Sequence, residues 1–203
     1  MARKKFDFKP DRQSPGSKGK WFLTKKQRQA ALKWFLHSLV LLVLLVVQDV
    51  IMSQVHIFGA TTDLFCAGVL LVCVLEGAES GGLFTLAAAV IYLFSGSAPG
   101  SYAVALLPLL GVVAAVFRQA YLRKGFLANV ICAALALMLY EMAVFGIALF
   151  LQLTHIGRLG MFFTTGLLSV AVMPLLYPLL ISIGKIGGET WKELAGFGPV
   201  CCW

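Results

Sequence analysis

The side chains able to do chemistry are few and scattered. His37, His56 and His155 each lie near an expected helix end or loop, and none has a second metal ligand three or four residues on. Histidine sites for zinc rely on such paired spacing, so the pattern does not suggest one. Of five cysteines, Cys66, Cys73 and Cys132 fall inside apolar runs, where a free thiol behaves as a small hydrophobe. Cys201 and Cys202 are adjacent, a spacing that does not readily close into a structural disulfide. They read either as an uncommitted C-terminus or as a lipidated tail. There is no Gly-rich phosphate loop and no serine nucleophile in a recognisable turn. The expectation is a protein that is not an enzyme and needs no cofactor or metal.

One carboxyl stands apart. Glu141 lies near the middle of the apolar run 126–153, twelve residues before its end at Leu153. An ionisable group at mid-membrane depth is costly, faces the bundle interior, and is read as functional by default. Counting the same distance from Leu159 along the antiparallel run that follows arrives near Ala171, which makes Ser169 its expected neighbour. Glu141 either locks two helices together or binds a ligand, proton or ion, and both readings stay open. Asp49, Asp63, Glu76 and Glu79 sit at run boundaries, within reach of headgroups or water, and are expected to need no special partner.

The elements that must position these groups are six apolar runs, 31–50, 63–75, 83–94, 102–117, 126–153 and 159–183. Hydrophobic residues make up 60% of the 203-residue chain and charged ones only 13%, about half the usual charged share of soluble domains. Crossing a bilayer takes about 17–25 apolar residues, which the first, fifth and sixth runs supply unaided. The second and third are short, yet a re-entrant hairpin would leave backbone groups unsatisfied in lipid, at several kcal/mol each. Two ordinary short helices are therefore expected. The fold class is an all-α polytopic membrane protein with six transmembrane helices, and five is the next count.

Charge sets the direction. Residues 1–33 hold eleven of the seventeen Lys/Arg, and an N-terminus placed inside puts sixteen of them inside and only Arg158 outside. Cytoplasmic loops are enriched in Lys and Arg, so both termini are expected in the cytoplasm. The chain divides into a basic tail 1–30, a membrane domain 31–183 and a short tail 184–203. The first apolar run lies far from the N-terminus and lacks a small-x-small cleavage site, so it is expected to be retained. Pro10, Pro15, Gly16 and Gly19 break up the basic tail, which cannot bury a core but is drawn to anionic lipids rather than to nucleic acid. Lys-Trp-Phe-Leu occurs at 20–23 and again at 33–36, so residues 21–33 read either as a short interfacial helix that meets a partner or as a topology signal within a leader.

Packing signals complete the reading. Gly81, Thr85 and Ala89, then Ala128, Cys132 and Ala136, form ridges of small residues at helical spacing, and Gly111 pairs with Ala115. Pro108, Pro174 and Pro178 fall inside helices and should bend them. Residues 39–47 are uniformly bulky, which suits a peripheral helix facing lipid or a partner.

Asp63-Leu64 opens the second run, Glu76-Gly77 makes a turn, and Gly81-Gly82 starts the third. Ser95-Gly96-Ser97-Ala98-Pro99-Gly100 links third to fourth, and Arg118, Arg123 and Lys124 close the fourth. In this order of features residues 62–124 resemble the MreD family of bacterial rod-shape-determining membrane proteins. The chain departs from that family at Thr62, where a proline is usual, and near Tyr92, where an aspartate is often found. The resemblance covers about a third of the chain. It implies a non-enzymatic scaffold of the cell-elongation complex in the bacterial cytoplasmic (inner) membrane. Such a scaffold would bind a single-pass MreC-type partner and help link MreB filaments to cell-wall synthases. Asp63, Ser95, Gly96, Pro99, Gly100, Glu141 and Ser169 are the candidate structural or partner-binding residues. The alternative is a substrate-binding subunit of an energy-coupling-factor vitamin transporter, whose six-helix architecture MreD-like proteins resemble. Such subunits usually present an Ala-x-x-x-Ala face on the first helix, which the run 31–50 lacks.

Overall fold

Residues 25–51, 60–121 and 125–185 are described by the computed structural model of the chain. Within them the backbone forms six α-helices: α1 Lys25–Val50, α2 Leu64–Glu76, α3 Ala78–Phe94, α4 Ala103–Tyr121, α5 Phe126–Phe150 and α6 Leu159–Gly184. A 3₁₀ turn, Ile156–Arg158, leads into α6. Four segments, Gln27–Val50, Ala103–Tyr121, Phe126–Phe150 and Ile156–Gly184, are long and apolar enough to cross a membrane. The chain is a multi-pass membrane protein. Its outer faces agree, since Leu39, Leu42, Leu83, Leu135, Leu139 and Leu175 are all exposed, a belt that water would not tolerate.

The shortest helix occupies the centre. α2 has 13 residues, about 20 Å of helix against a hydrocarbon core of about 30 Å. Every residue from Leu64 to Leu75 is buried, and α1, α3, α4, α5 and α6 all pack against it. Enclosed by protein, α2 has no lipid-facing stripe, which explains an apolar run without helical periodicity. The peripheral position expected for residues 39–47 is seen in α1: Leu41 and Leu45 turn inward, while Leu39, Leu42, Val43 and Val46 stay exposed.

Small residues set the distances around α2. A Cβ at Gly81 of α3 would lie 2.8 Å from the Cys73 carbonyl oxygen and 2.9 Å from Cys73 Cα. One at Gly111 of α4 would lie 3.1 Å from Cys73 Sγ, and one at Gly68 would strike Leu44 and Leu41 of α1 at 2.9 and 3.0 Å. Gly81, Thr85 and Ala89 are buried together, as are Gly111 and Ala115; Cys132 and Ala136 are buried and Ala128 half-buried. The small-residue ridges are therefore packing faces.

Helix ends differ from the sequence boundaries. The turn expected across residues 76–82 contracts to Gly77 alone, because its φ of +96° reverses the chain in one step and lets α3 start at Ala78. α1 already begins at Lys25, inside the segment expected to be tail, since Gln27, Arg28, Gln29, Ala30 and Ala31 are good helix formers without a breaker. From Lys25 to Lys33 the chain is thus the first part of α1 rather than a separate interfacial helix; Trp21 lies outside the described residues. α4 and α6 run on through Pro108, Pro174 and Pro178 without interruption.

Candidate functional site

Polar side chains inside the bundle gather at the two ends of α2. At its N-terminal end Asp63 is the N-cap, its Oδ1 accepting from the Cys66 N–H at 3.2 Å. That bond satisfies one of the amides a helix start leaves open. The other oxygen accepts from the Tyr92 hydroxyl of α3 at 3.2 Å, and the Asp63 N–H donates to Ser169 Oγ of α6 at 2.7 Å. A second open amide, Phe65 N–H, donates to Gln48 Oε1 of α1 at 2.8 Å. One helix start therefore ties together α1, α2, α3 and α6. The Tyr92 ring also stacks on Phe65, with centroids 4.9 Å apart.

Glu141 lies beside this cluster. It is 5% exposed and packs near Gly166 of α6, where a Cβ would lie 3.5 Å from Glu141 Cγ and 2.8 Å from Met138 Sδ. Its electrostatic neighbour is Asp63. The expected pairing with Ser169 is not formed: the serine hydroxyl donates to Thr165 O at 2.8 Å and accepts from Asp63 N–H. The α6 residue that meets Glu141 is Gly166, three positions before Ser169, and Asp63 at the tip of α2 takes the serine hydroxyl. Tyr140, one residue before Glu141, buries a hydroxyl that has no partner among the described residues. Within this cluster the Asp63 carboxylate and the Tyr92 phenol are hydrogen-bonded, and among the described residues no basic side chain is paired with it.

The C-terminal end of α2 holds the opposite composition. Lys33 Nζ of α1 makes an ion pair with Glu76 Oε2. His37, one turn on, is fully buried; its Nδ1 lies 2.9 Å from Lys33 O and its Nε2 4.0 Å from Glu76 Oε1. Trp34 and Phe84 flank the imidazole, with centroids 6.0 and 6.4 Å from it. Arg118 of α4 approaches the same end, its guanidinium donating to Val74 O at 2.5 Å and Leu75 O at 3.5 Å. Those carbonyls are acceptors that a helix end leaves without intrahelical partners, and a cation there also complements the helix dipole.

This overturns the expectation that boundary carboxylates need no partner. Glu76 is 2% exposed in its side chain and Asp63 is buried, each bonded by residues from other helices. Glu79, by contrast, is exposed as expected. Sequence reasoning placed Lys33, His37 and Arg118 at run ends and gave them no partner. The signal that singled out Glu141, an ionisable side chain among apolar turns, applies to His37 as well, whereas Arg118 is followed by further polar and basic residues.

The link between α3 and α4 serves α1. Ser95 Oγ donates to Tyr92 O at 2.8 Å, Gly96 takes a φ of +78°, and Ser97 Oγ donates to Asp49 Oδ1 at 2.6 Å. Pro99 O accepts from the Tyr102 hydroxyl at 3.3 Å, and a Cβ at Gly100 would lie 2.5 Å from the Tyr102 ring, which packs over the glycine. Between this link and α1 opens a pocket of about 480 Å³ lined by Gln48, Asp49, Thr61, Thr62, Ser95 and Ser97. Cys66, Cys73 and Cys132 are buried free thiols, and His155 is exposed. His56, Cys201 and Cys202 lie outside the described residues. Among the described residues no group of three or more His, Cys, Asp or Glu side chains is arranged to hold a metal ion. No protein-family model, curated protein or solved structure matches this chain.

Proposed function

We propose that the chain is a non-enzymatic scaffold of the MreD type, crossing the bacterial cytoplasmic membrane six times with both termini in the cytoplasm. It binds a single-pass MreC-type partner and helps link MreB filaments to cell-wall synthases, while its basic tail lies on anionic lipid. The observation that carries the reading is where the resembling residues fall. Asp63 caps α2, Gly77 reverses the chain, Gly81 permits a close approach of α3 to the α2 backbone, Gly96 and Gly100 shape the α3–α4 link, and Arg118 closes α2. Those positions are joints of a rigid bundle, which is what a scaffold requires. The exposed face of α1 around Leu39, Leu42, Val43 and Val46 is the surface offered to the partner.

Purification in mild detergent tests the proposal directly. The expected result is stoichiometric recovery of a single-pass MreC-type protein and no ligand turnover. The polar pocket of about 480 Å³ favours a second reading, a substrate-binding subunit of an energy-coupling-factor transporter. Tight one-to-one vitamin binding by the isolated chain would replace the first reading with the second. Orientation is checked by cysteine labelling from outside: reaction at Ser97→Cys and none at Lys124→Cys is expected, and the reverse pattern refutes the topology.

A further inference from the structure

The hydrogen-bond polarity at the α1–α2 junction is incomplete by one proton. Lys33 O can only accept, so His37 Nδ1, at 2.9 Å, must be the nitrogen that carries hydrogen. A neutral imidazole then presents a lone pair at Nε2. That lone pair faces Glu76 Oε1, itself an acceptor, across 4.0 Å, and neither atom has a hydrogen-bond partner among the described residues. Both side chains are buried, at 0% and 2% exposure. Acceptor opposite acceptor at a buried junction is an arrangement that native interiors avoid.

We propose that His37 and Glu76 form a one-proton site at the junction of α1 with α2 and α3. A proton taken from solvent adds to Nε2, or equally to Oε1, and the new N–H or O–H donates to the facing atom. The 4.0 Å separation then closes to hydrogen-bond length, and α1 gains a second tie to Glu76 beside the Lys33 ion pair. Without the proton, Lys33 and Glu76 balance and the cluster is neutral; with it, the cluster carries one positive charge. The surroundings are few. On α1 the ring is faced by Lys33 and Trp34, on α2 by Glu76, and on α3 by the uncharged Phe84. Arg118 of α4 is committed to Val74 and Leu75, and among the described residues Glu76 and Lys33 act on His37 by charge. Closing the site requires only a small rotation of Glu76, because its other oxygen is already held by Lys33.

Imidazole ¹⁵N and carboxyl ¹³C NMR of the full chain in bicelles, titrated between about pH 5 and about pH 8, tests the site. The expected result is one titration step shared by the His37 and Glu76 signals, with Nδ1 protonated throughout. Glu76→Gln supplies an amide N–H that donates to Nε2 while its oxygen keeps Lys33. In that variant proton affinity at His37 should fall roughly tenfold or more, a shift of about one pH unit. His37→Gln provides an independent arm: its amide donates to Oε1, and the shared titration step should disappear. Signals of His37 and Glu76 that titrate independently, or a His37 midpoint unmoved by Glu76→Gln, overturn the proposal. So does the absence of any titration at either residue.

Discussion

Gly81→Ala adds a single methyl group where α3 meets the backbone of α2. The new Cβ would stand 2.8 Å from Cys73 O and 2.9 Å from Cys73 Cα, whereas carbon atoms are comfortable at about 3.5–4.0 Å. The opposing atoms are main chain at the centre of the bundle and cannot rotate away. α3 must therefore retreat by about 0.6 Å, and a gap of that order forfeits a quarter or more of the dispersion contact along Thr85 and Ala89. Overpacking of this kind costs about 1–3 kcal/mol, offset by about 1 kcal/mol of better helix propensity for alanine. The net loss is about 0–2 kcal/mol, up to roughly 8 °C in Tm for a chain of this size, and relative to a glycine-to-alanine change in open space it is the full cost of about 1–3 kcal/mol. Gly146→Ala on α5 is the control, because that position is exposed and a Cβ there meets nothing within 4 Å. It should match or exceed the wild type in a thermal melt in mild detergent. If Gly81→Ala melts as high as Gly146→Ala, the close approach of α3 to α2 is wrong.

Removing the cap in Asp63→Ala should destabilise by about 1–2 kcal/mol, and Tyr92→Phe by about 0.5–1.5 kcal/mol. Because both changes remove the same Asp63–Tyr92 bond, the double variant should lose less than the sum, and full additivity in detergent melts would exclude that bond. Arg118→Met keeps the apolar stem but strips the donors from Val74 O and Leu75 O; a loss of about 1.5–3 kcal/mol is expected, and an unchanged melt would show that α2 ends without this cap. Glu141→Gln keeps the hydrogen-bonding shape and should leave partner binding and cell shape intact, with Glu141→Leu costing only about 0.6 kcal/mol in stability. Loss of function in Glu141→Gln at normal expression would instead require the ionisable carboxyl.

Sequence by itself determined what local rules govern. Apolar runs with few charges gave six helices, because the length and polarity of a run are properties of the residues alone. Gly77, Gly96 and Gly100 marked reversals, since a positive φ or a close approach excludes side chains locally. Small residues at helical spacing marked the faces of α3 and α4 that pack closely. Glu141 was legible as a buried carboxyl because one ionisable group in an apolar run has nowhere wet to go. What the tertiary structure decided was every pairing between helices. α2 looked like one more short span, and only its neighbours make it the enclosed centre. Ser169 went to Asp63 instead of Glu141, and Glu76 found Lys33 across 43 positions in the chain. A side chain's partner depends on helix rotation and on which helices become neighbours. Both are set by packing around α2, a quantity spread over five other helices and carried by no single stretch of residues.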